Sequence, residues 1–256
     1  MKRVPYKWTR PEDTMFESIK KKGFQVIALH HAEAILKHDM GAAVRELETV
    51  LSSITIPIEE LVYGGGGEGE LTQRLRHSLA EGHGWEKHVF EIKKIVDDVE
   101  KESVSHEIDH VKKFPSGTFA LEIEWNNKDP FYDRDLENFK RLHADGVISI
   151  GGIITRGESL HKGLEDAFAT FAKKNGIDTV EKLQKFYHPT DRQREKIKQA
   201  AKSKGSFEKG WAHAFMGDKF GEATTHWRKL EDRVRRGVGN PCPLLLIGIP
   251  IDVVVV

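Results

Sequence analysis

The sequence predicts an α/β protein in which a mixed central β-sheet is flanked by helices and preceded by a helical N-terminal part. Apolar residues recur at helical spacing in the N-terminal part, and the period changes to two from about residue 104. Continuously apolar runs at 147–155 and 243–249 are typical of strands that are covered on both faces. We therefore expect a helical region at 1–100 that packs on a core at 101–256, within one compact domain.

Spacing and breaker residues delimit the elements of the N-terminal part. Residues 24–51 follow the helical period, and residues 54–57 and the glycine-rich stretch 64–69 interrupt it. Residues 70–79 and 85–99 predict two more helices.

The elements of the core alternate between strand and helix. Residues 104–111 and 118–125 predict consecutive strands, and Pro115 and Gly117 between them suit a chain reversal. The later elements are predicted as a helix at 135–143, a strand at 147–155, a helix at 159–174 and a last buried strand at 243–249.

Composition limits the class of protein without identifying its function. The 256 residues have a formal net charge of zero although 31% of them are charged, so a nucleic-acid partner would need a local basic surface. The single cysteine, Cys242, excludes an internal disulfide and a zinc ribbon and suits a reducing cytoplasm. We expect no membrane partner, because the N-terminus lacks the apolar segment of a secretion signal and the apolar run at 249–256 is too short to span a bilayer. That run predicts a buried or edge strand.

Three local patterns have a functional and an ordinary interpretation. The segment 182–209 carries nine Lys or Arg residues and three acids, which suits either a phosphate-facing surface or a solvated amphipathic helix. The glycines at 64–69 lack the Gly-Lys-Ser/Thr ending of a nucleotide-binding loop, so nucleotide binding is not expected. His106 and His110 are four residues apart, but the local period is two, so we expect surface histidines and not a metal pair.

Carboxylates on two neighbouring strands are the main functional signal. Apolar and polar residues alternate in 118–125, which places Glu122 and Glu124 on one face, and a hairpin brings Asp109 to the same point. Converging acids repel one another unless they face water or hold a hard cation such as Mg²⁺, toward which the Ile123 carbonyl can also turn. The spacing Asp-x12-Glu-x-Glu matches the form of the PD-(D/E)XK nucleases, with glutamate in place of the terminal lysine.

Longer stretches resemble the BglII family of type II restriction endonucleases. They are GGGGEGELTQRLR at 64–76, EIEWNNKDPFYDRDLENF at 122–139, VISIGGIITR at 147–156, and TTHWRKL at 224–230 followed by PCPLLLIGI at 241–249. The resemblance spans roughly residues 25–250 and implies a homodimer that cuts both strands of a palindromic double-stranded DNA site with Mg²⁺. It departs at Glu124, where BglII has glutamine.

The resemblance and the carboxylate pattern together predict the roles of individual residues. Asp109, Glu122 and the Ile123 carbonyl are predicted to hold one or two Mg²⁺ ions, and Glu124 to orient the attacking water or bind a second ion. We expect Mn²⁺ to substitute and Ca²⁺ to allow binding without cleavage. The residues predicted to contact DNA follow the catalytic strand or lie near later polar loops, and they are Asn126, Asn127, Lys128, Arg156, Thr224, Thr225, His226 and Arg228.

Other functions stay open from the sequence. A structure-specific DNA repair nuclease of the same fold would use the same acids, and a DNA-binding protein without catalysis would have no need of them. A glycosidase would use the carboxylate pair as acid and base, but Phe119 and Trp125 are predicted on the opposite face from that pair. Glu70, after the glycine-rich stretch, is either an outer acid of the site or a charge that suits a helix N-terminus.

Overall fold

A six-stranded mixed β-sheet runs through the centre of the computed structural model, which describes residues 15–63 and 68–256. The strands are β1 (Gln25–Leu29), β2 (Ile56–Pro57), β3 (Glu86–Val96), β4 (Val99–Phe114), β5 (Gly117–Glu124), β6 (Ile150–Arg156), β7 (Leu244–Ile249) and β8 (Val254–Val255). The sheet order is β1-β7-β6-β5-β4-β3, in which β5, β6 and β7 are parallel and the other neighbours are antiparallel. The predicted fold class is confirmed.

Helices cover both faces of this sheet. They are α1 (Glu17–Lys21), α2 (Ala32–Ala34, continued by a π-helical turn at Ile35–Asp39), α3 (Gly41–Ser52), α4 (Ile58–Val62), α5 (Glu70–His83), α6 (Phe131–Ala144), α7 (Glu158–Lys174), α8 (Val180–Leu183), α9 (Asp191–Lys204), α10 (Phe207–Lys219) and α11 (Trp227–Arg235). The hydrophobic cluster on one face includes α3, α5, α7 and α10, and the cluster on the other includes α6 and α11. The sheet is therefore the middle of three layers.

Two segments that the sequence predicts as helical are strands. Gln25–Leu29 pairs antiparallel with β7, and Glu86–Val96 pairs antiparallel with β4. In β3 the apolar residues Val89, Ile92 and Val96 recur at helical spacing, so the local pattern favours a helix, and only the pairing with β4 decides for a strand. Because both strands belong to the central sheet, residues before 101 contribute to the core, and the division at residue 100 stays a prediction.

The two-residue turn between β3 and β4 fixes the register of this hairpin. Val96 pairs with Val99, and Asp97 and Asp98 between them have φ angles of 51° and 58°. Positive φ at both positions is typical of the type I′ two-residue hairpin turn, and aspartate tolerates it better than branched residues do.

Close packing against Gly151 positions α6 over the sheet. A Cβ atom at Gly151 would lie 2.6 Å from ring atoms of Phe139, so only glycine lets this helix approach β6 so closely. The approach matters because α6 covers the face of β5 that carries Glu122 and Glu124.

The other predicted elements are largely confirmed. The hairpin at 104–125, the helices at 135–143 and 159–174 and the strand at 243–249 all occur, with shifts of a few residues at their ends. The C-terminal run forms a 3₁₀ turn at Ile251–Val253 and the short strand β8, which pairs with β2.

Within 15–63 and 68–256, no helix is both long and apolar enough to cross a bilayer. The glycines at 64–67 lie outside the described residues.

The basic segment 182–209 is mainly exposed helix. It includes α8 and α9 and the start of α10, and α9 buries the apolar side chain of Ile197. Several of its lysines pair with acids, including Lys198 with Glu195 at 2.8 Å and Lys204 with Glu165 at 3.1 Å. This is the arrangement of a solvated amphipathic helix, and contact with phosphates stays a prediction.

Candidate active site

Glu122 and Glu124 lie side by side on β5, on the face that α6 covers. Both residues are 3% exposed, so the ordinary interpretation of two acids that simply face water is excluded. Trp125 and Phe119 pack into the hydrophobic cluster on the opposite face, as the alternation predicts. Glu122, Glu124 and Ile123 between them line an open cleft of about 440 Å³.

A β-bulge on β4 turns Asp109 toward the two glutamates. Ile108 and Val111 pack in the same hydrophobic cluster although they are three residues apart, and the pairing with β3 shifts register between them. The pairing of β4 with β5 ends at His110 and Leu121, so Asp109 and Glu122 are the next positions on the two strands. Asp109 lines the same cleft, and its side chain is 55% exposed. The structure therefore brings the three predicted acids together.

A fourth acid, Asp135 on α6, joins the cluster and was not predicted. Asp135 is fully buried, and Arg134 binds its Oδ1 through Nε at 2.8 Å while lying 3.7 Å from Oε1 of Glu124. The Oδ2 atom of Asp135 has no hydrogen-bond partner among the described residues. One signal in the sequence points to this residue, because Asp135 falls on the helix face that also carries Tyr132 and Phe139.

Burial and mutual repulsion keep protons on this cluster. Burial raises the pKa of Glu122 well above its usual range, and the charges of Asp135, Asp109 and Glu124 raise it further. Burial is the main cause that raises the pKa of Glu124 to about 8, and the charge of Asp135 is the next. The hydrogen bond from Asn127 acts in the opposite direction. Burial also raises the pKa of Asp135. A bound cation would offset the repulsion that causes these shifts.

The pKa of Glu124 predicts how stability depends on pH without metal. Its carboxyl group holds a proton in the folded protein up to about pH 8, whereas the unfolded chain releases that proton near the ordinary pKa of glutamate. The stabilising effect of protonation is therefore lost as pH rises. One pKa unit corresponds to about 1.4 kcal/mol, and we expect the free energy of unfolding in EDTA to fall by at least that amount from pH 5 to pH 8. Glu124→Gln should flatten this dependence and Glu102→Gln should not. The free energy of unfolding is measured with urea at each pH. An equal dependence on pH in wild type, Glu124→Gln and Glu102→Gln would contradict the assignment of this effect to Glu124.

The two asparagines after β5 have different surroundings. Asn127 is exposed at the edge of the cleft, and its Nδ2 donates to Oε2 of Glu124 at 2.8 Å. Asn126 is partly buried and donates through Nδ2 to the carbonyl of Lys219 at 3.1 Å. Lys128 is exposed and forms an isolated β-bridge with Thr224. Asn127 and Lys128 are thus accessible to DNA, and Asn126 mainly holds the end of α10.

Arg156 is buried and its donors face the protein. Its Nε donates to the carbonyls of Trp125 and Thr225 at 3.0 and 3.1 Å, and Nη1 donates to the carbonyl of Phe220 at 3.3 Å. Its Nη2 donates to Oγ1 of Thr224 at 2.5 Å and to the Thr225 carbonyl at 2.7 Å. Burial lowers the pKa of Arg156 to about 10, so it remains charged at neutral pH. The predicted DNA contact does not fit this placement, because the guanidinium group braces the polar loop from inside.

The predicted contacts in that polar loop are divided between surface and interior. Thr225 and His226 are fully buried, so the structure does not present their side chains to DNA. Thr224 is partly buried and binds Arg156, whereas Arg228 is exposed and pairs with Glu222 at 2.5 Å. Burial, followed by the charges of His161 and Arg156, lowers the pKa of His226 to about 4.

A second, larger cavity lies on the other side of Asp109. It has a volume of about 740 Å³ and is lined by Arg76, Lys87 and His110, among others. Both ring nitrogens of His110 are buried without a hydrogen-bond partner among the described residues, and burial lowers its pKa. His106 is also buried, with Nδ1 at 2.9 Å from Oδ1 of Asn138, so the prediction of two surface histidines is wrong. Asn138 of α6 packs on the ring of His106, and His110 lies at the cavity that α5 also lines.

Two charged residues outside the cleft, Lys87 and Glu70, differ in their distance from its acids. Lys87 on β3 lies 3.8 Å from Asp109 through its Nζ, and it is exposed. Glu70 is exposed at the first position of α5 and lies 4.0 Å from Arg74, and the acids that line the larger cavity are Glu60, Glu68, Glu86 and Asp109. The helix-end interpretation of Glu70 therefore fits the structure better than that of an outer acid.

The comparison with known families agrees with this site. The sequence matches the model of the family described as restriction endonuclease BglII/BglIII over residues 24–249. No curated protein in the comparison matches the chain. The matched range runs from the residue before β1 to the end of β7 and includes the whole central sheet with the acidic cleft. The chain belongs to the BglII/BglIII family of restriction endonucleases and is a site-specific deoxyribonuclease.

Proposed function

We propose that this nuclease is a Mg²⁺-dependent type II enzyme that makes double-strand cuts at a short palindromic DNA sequence, with Asp109, Glu122 and Glu124 in its active site. The observation that supports this is the convergence of these three acids in one open cleft, with the buried Asp135 close enough to raise the pKa of Glu122. The family match supports the reaction class, and the cleft supplies the residues for it.

The donor set of the cleft fits a hard divalent cation. Asp109, Glu122 and Glu124 line the cleft, and the buried Asp135 lies beside them with one oxygen that has no partner among the described residues. Oxygen donors of this kind suit Mg²⁺, and its charge would relieve the repulsion that raises their pKa values. Asp109, Glu122 and the Ile123 carbonyl would hold the ion. When bound, it supplies Lewis-acid polarisation of the phosphate and lowers the pKa of a coordinated water.

The other residues of the cleft orient the reactants. Glu124 is fixed by the hydrogen bond from Asn127 and can accept a proton from the attacking water at its free oxygen. Arg134 lies between Glu124 and Asp135 and reduces their repulsion. Lys87 is exposed next to Asp109, where it suits a contact with the DNA phosphate. It supplies a positive charge to the site, which has Glu124 at the position where the motif usually has lysine.

Cleavage of a plasmid of known sequence tests this proposal. We expect discrete fragments with Mg²⁺ or Mn²⁺, no cleavage in excess EDTA, and DNA binding without cleavage in Ca²⁺, because the acids need a hard cation to act together. Activity that survives EDTA would contradict the metal mechanism. A preference for branched DNA over sequence would instead support a structure-specific repair nuclease.

We propose in addition that the enzyme acts as a homodimer, in which the N-terminal helices supply part of the interface. A palindromic site is matched by a two-fold axis, with one chain for each half-site. In the plasmid experiment a dimer should convert supercoiled DNA to the linear form without accumulation of nicked circles. Accumulation of nicked circles by a monomeric complex would contradict the dimer.

Asn127 is the predicted residue best placed to read a base. Its backbone is held by Thr225, whose N–H donates to the Asn127 carbonyl at 2.8 Å, and its side chain lies at the cleft edge. We expect Asn127→Ala to cost about 1–3 kcal/mol of discrimination at one base pair. Lys196 is exposed on α9. If its side chain contacts only phosphate, Lys196→Ala should weaken binding to all DNA sequences alike and lower the slope of log affinity against log salt concentration by about one.

Binding to single-base variants of the site at two salt concentrations distinguishes these outcomes. If Asn127→Ala binds the single-base variants of the DNA site in the same order of affinity as the wild-type protein does, the Asn127 amide only donates its hydrogen bond to Glu124.

A further inference from the structure

A second group of potential metal ligands lies away from the acidic cleft. His161 is in the first turn of α7, His226 directly precedes α11, and Glu222 lies between α10 and α11. The Nε2 atoms of His161 and His226 are 3.5 and 3.7 Å from the two carboxylate oxygens of Glu222. One potential ligand atom from each residue lies within 4.8 Å of the others. Sequence analysis gives no hint of this group, because its histidines are far apart in the chain.

The buried imidazole of His226 lacks a partner. The residue is 1% exposed, and its Nε2 has no hydrogen-bond partner among the described residues although it points toward Glu222. A buried polar atom without a partner is unfavourable, and such atoms are few in native proteins. The ring stacks on His161 with centroids 4.0 Å apart and planes at 6°. The stack holds both Nε2 atoms at the same carboxylate.

The three side chains need only a small adjustment to hold a tetrahedral ion. With bonds of 2.0–2.2 Å from zinc to nitrogen or oxygen, neighbouring ligand atoms lie about 3.3–3.6 Å apart. The 3.5 Å from His161 to Oε1 of Glu222 falls in this range, and His226 lies 3.7 Å from the other oxygen, Oε2, so the Glu222 carboxylate needs to turn until one oxygen serves both rings. The two rings need to tilt away from their parallel stack so that both lone pairs meet at one point. Arg228, which now binds Glu222 at 2.5 Å, is exposed and can turn away.

We propose that His161, Glu222 and His226 form a binding site for a divalent transition-metal ion of the Zn²⁺ class, separate from the Mg²⁺ site in the acidic cleft. Two imidazoles and one carboxylate suit Zn²⁺, whereas Mg²⁺ prefers oxygen donors. The three protein ligands leave one position for water. The ligands lie at an open cavity of about 630 Å³, through which an ion can enter.

The position of the site gives the ion a structural role. Glu222 and His226 lie at the two ends of the loop segment that contains Thr225. The backbone of Thr225 forms hydrogen bonds with both Asn127 and Arg156. An ion that ties this segment to α7 would hold Asn127 at the rim of the acidic cleft. His161 and its partners are thus positioning residues for Asn127, and they take no part in the chemistry.

Titration with Co²⁺ as a spectroscopic substitute for Zn²⁺ tests the site. Excess Mg²⁺ is kept present to saturate the carboxylates of the cleft, because it competes poorly for imidazoles. We expect one equivalent of Co²⁺ to give the visible bands of a four-coordinate ion, Zn²⁺ to displace it, and Zn²⁺ to raise the melting temperature of the protein. Absence of these bands would overturn the proposal.

Variants assign the ligands without a measurement of cleavage. Glu222→Gln changes a side chain that is 59% exposed, so it should fold normally, and it should weaken Co²⁺ binding by more than about 10-fold, as should His161→Gln. His213→Gln is the matched control, because His213 lines the same cavity but pairs with Glu165 at 3.0 Å. Equal affinity in Glu222→Gln and wild type, or an equal loss in His213→Gln, would overturn the assignment.

Discussion

Glu122→Gln should lower the rate of DNA cleavage by at least about 100-fold while the protein still binds its DNA site. Glu122 is the acid at the centre of the cluster, and burial with three neighbouring carboxylates raises its pKa. The amide keeps the shape of the side chain but gives a divalent ion one charge less. Loss of a negative charge next to the phosphate should preserve or strengthen DNA affinity. Asp109→Asn is expected to behave in the same way.

Glu102→Gln is the matched control for this experiment. Glu102 is an exposed acid on the same strand as Asp109, about 23 Å along β4 if each residue advances about 3.3 Å. Its substitution should leave cleavage unchanged. Single-turnover cleavage gives the rate, and a mobility shift without divalent ions gives the affinity. Cleavage by Glu122→Gln at more than a few per cent of the wild-type rate would show that the ligand assignment is wrong.

Arg156→Met should destabilise the protein by at least about 3 kcal/mol, measured by urea unfolding. The guanidinium group is fully buried, and it donates to the carbonyls of Trp125, Phe220 and Thr225. Methionine fills part of the volume but leaves these acceptors without donors, and each buried acceptor that loses its partner costs about 1–3 kcal/mol. The loop that carries Thr225 should also become more sensitive to proteolysis.

The control for Arg156 is an arginine on the surface. Arg235 is exposed on α11 and pairs with Glu231 at 2.9 Å, so Arg235→Met should change stability by less than about 0.5 kcal/mol. The comparison separates the two roles considered for Arg156. A direct DNA contact would leave the stability of Arg156→Met unchanged and lower only its affinity for DNA.

The elements that the sequence predicts correctly have one unambiguous period. The alternation in 118–125 sorts Phe119 and Trp125 from Glu122 and Glu124, and the structure places the two pairs on opposite faces. The sequence of β1 and β3 predicts helices, because the short apolar run of β1 fits both periods and the apolar residues of β3 recur at helical spacing. Their strand structure depends on hydrogen bonds to β7 and β4, which come from distant parts of the chain.

The family, the mixed α/β class and the common face of Glu122 and Glu124 follow from the sequence, because they depend on local periodicity and on motifs that are continuous in the chain. The environment of the side chains follows only from the tertiary packing. The packing of α6 buries the acids and adds Asp135, the loop after α10 encloses Arg156, and the same loop brings His226 to His161. Burial and convergence depend on contacts between residues far apart in the chain, and no local pattern encodes which helix covers which face of a sheet.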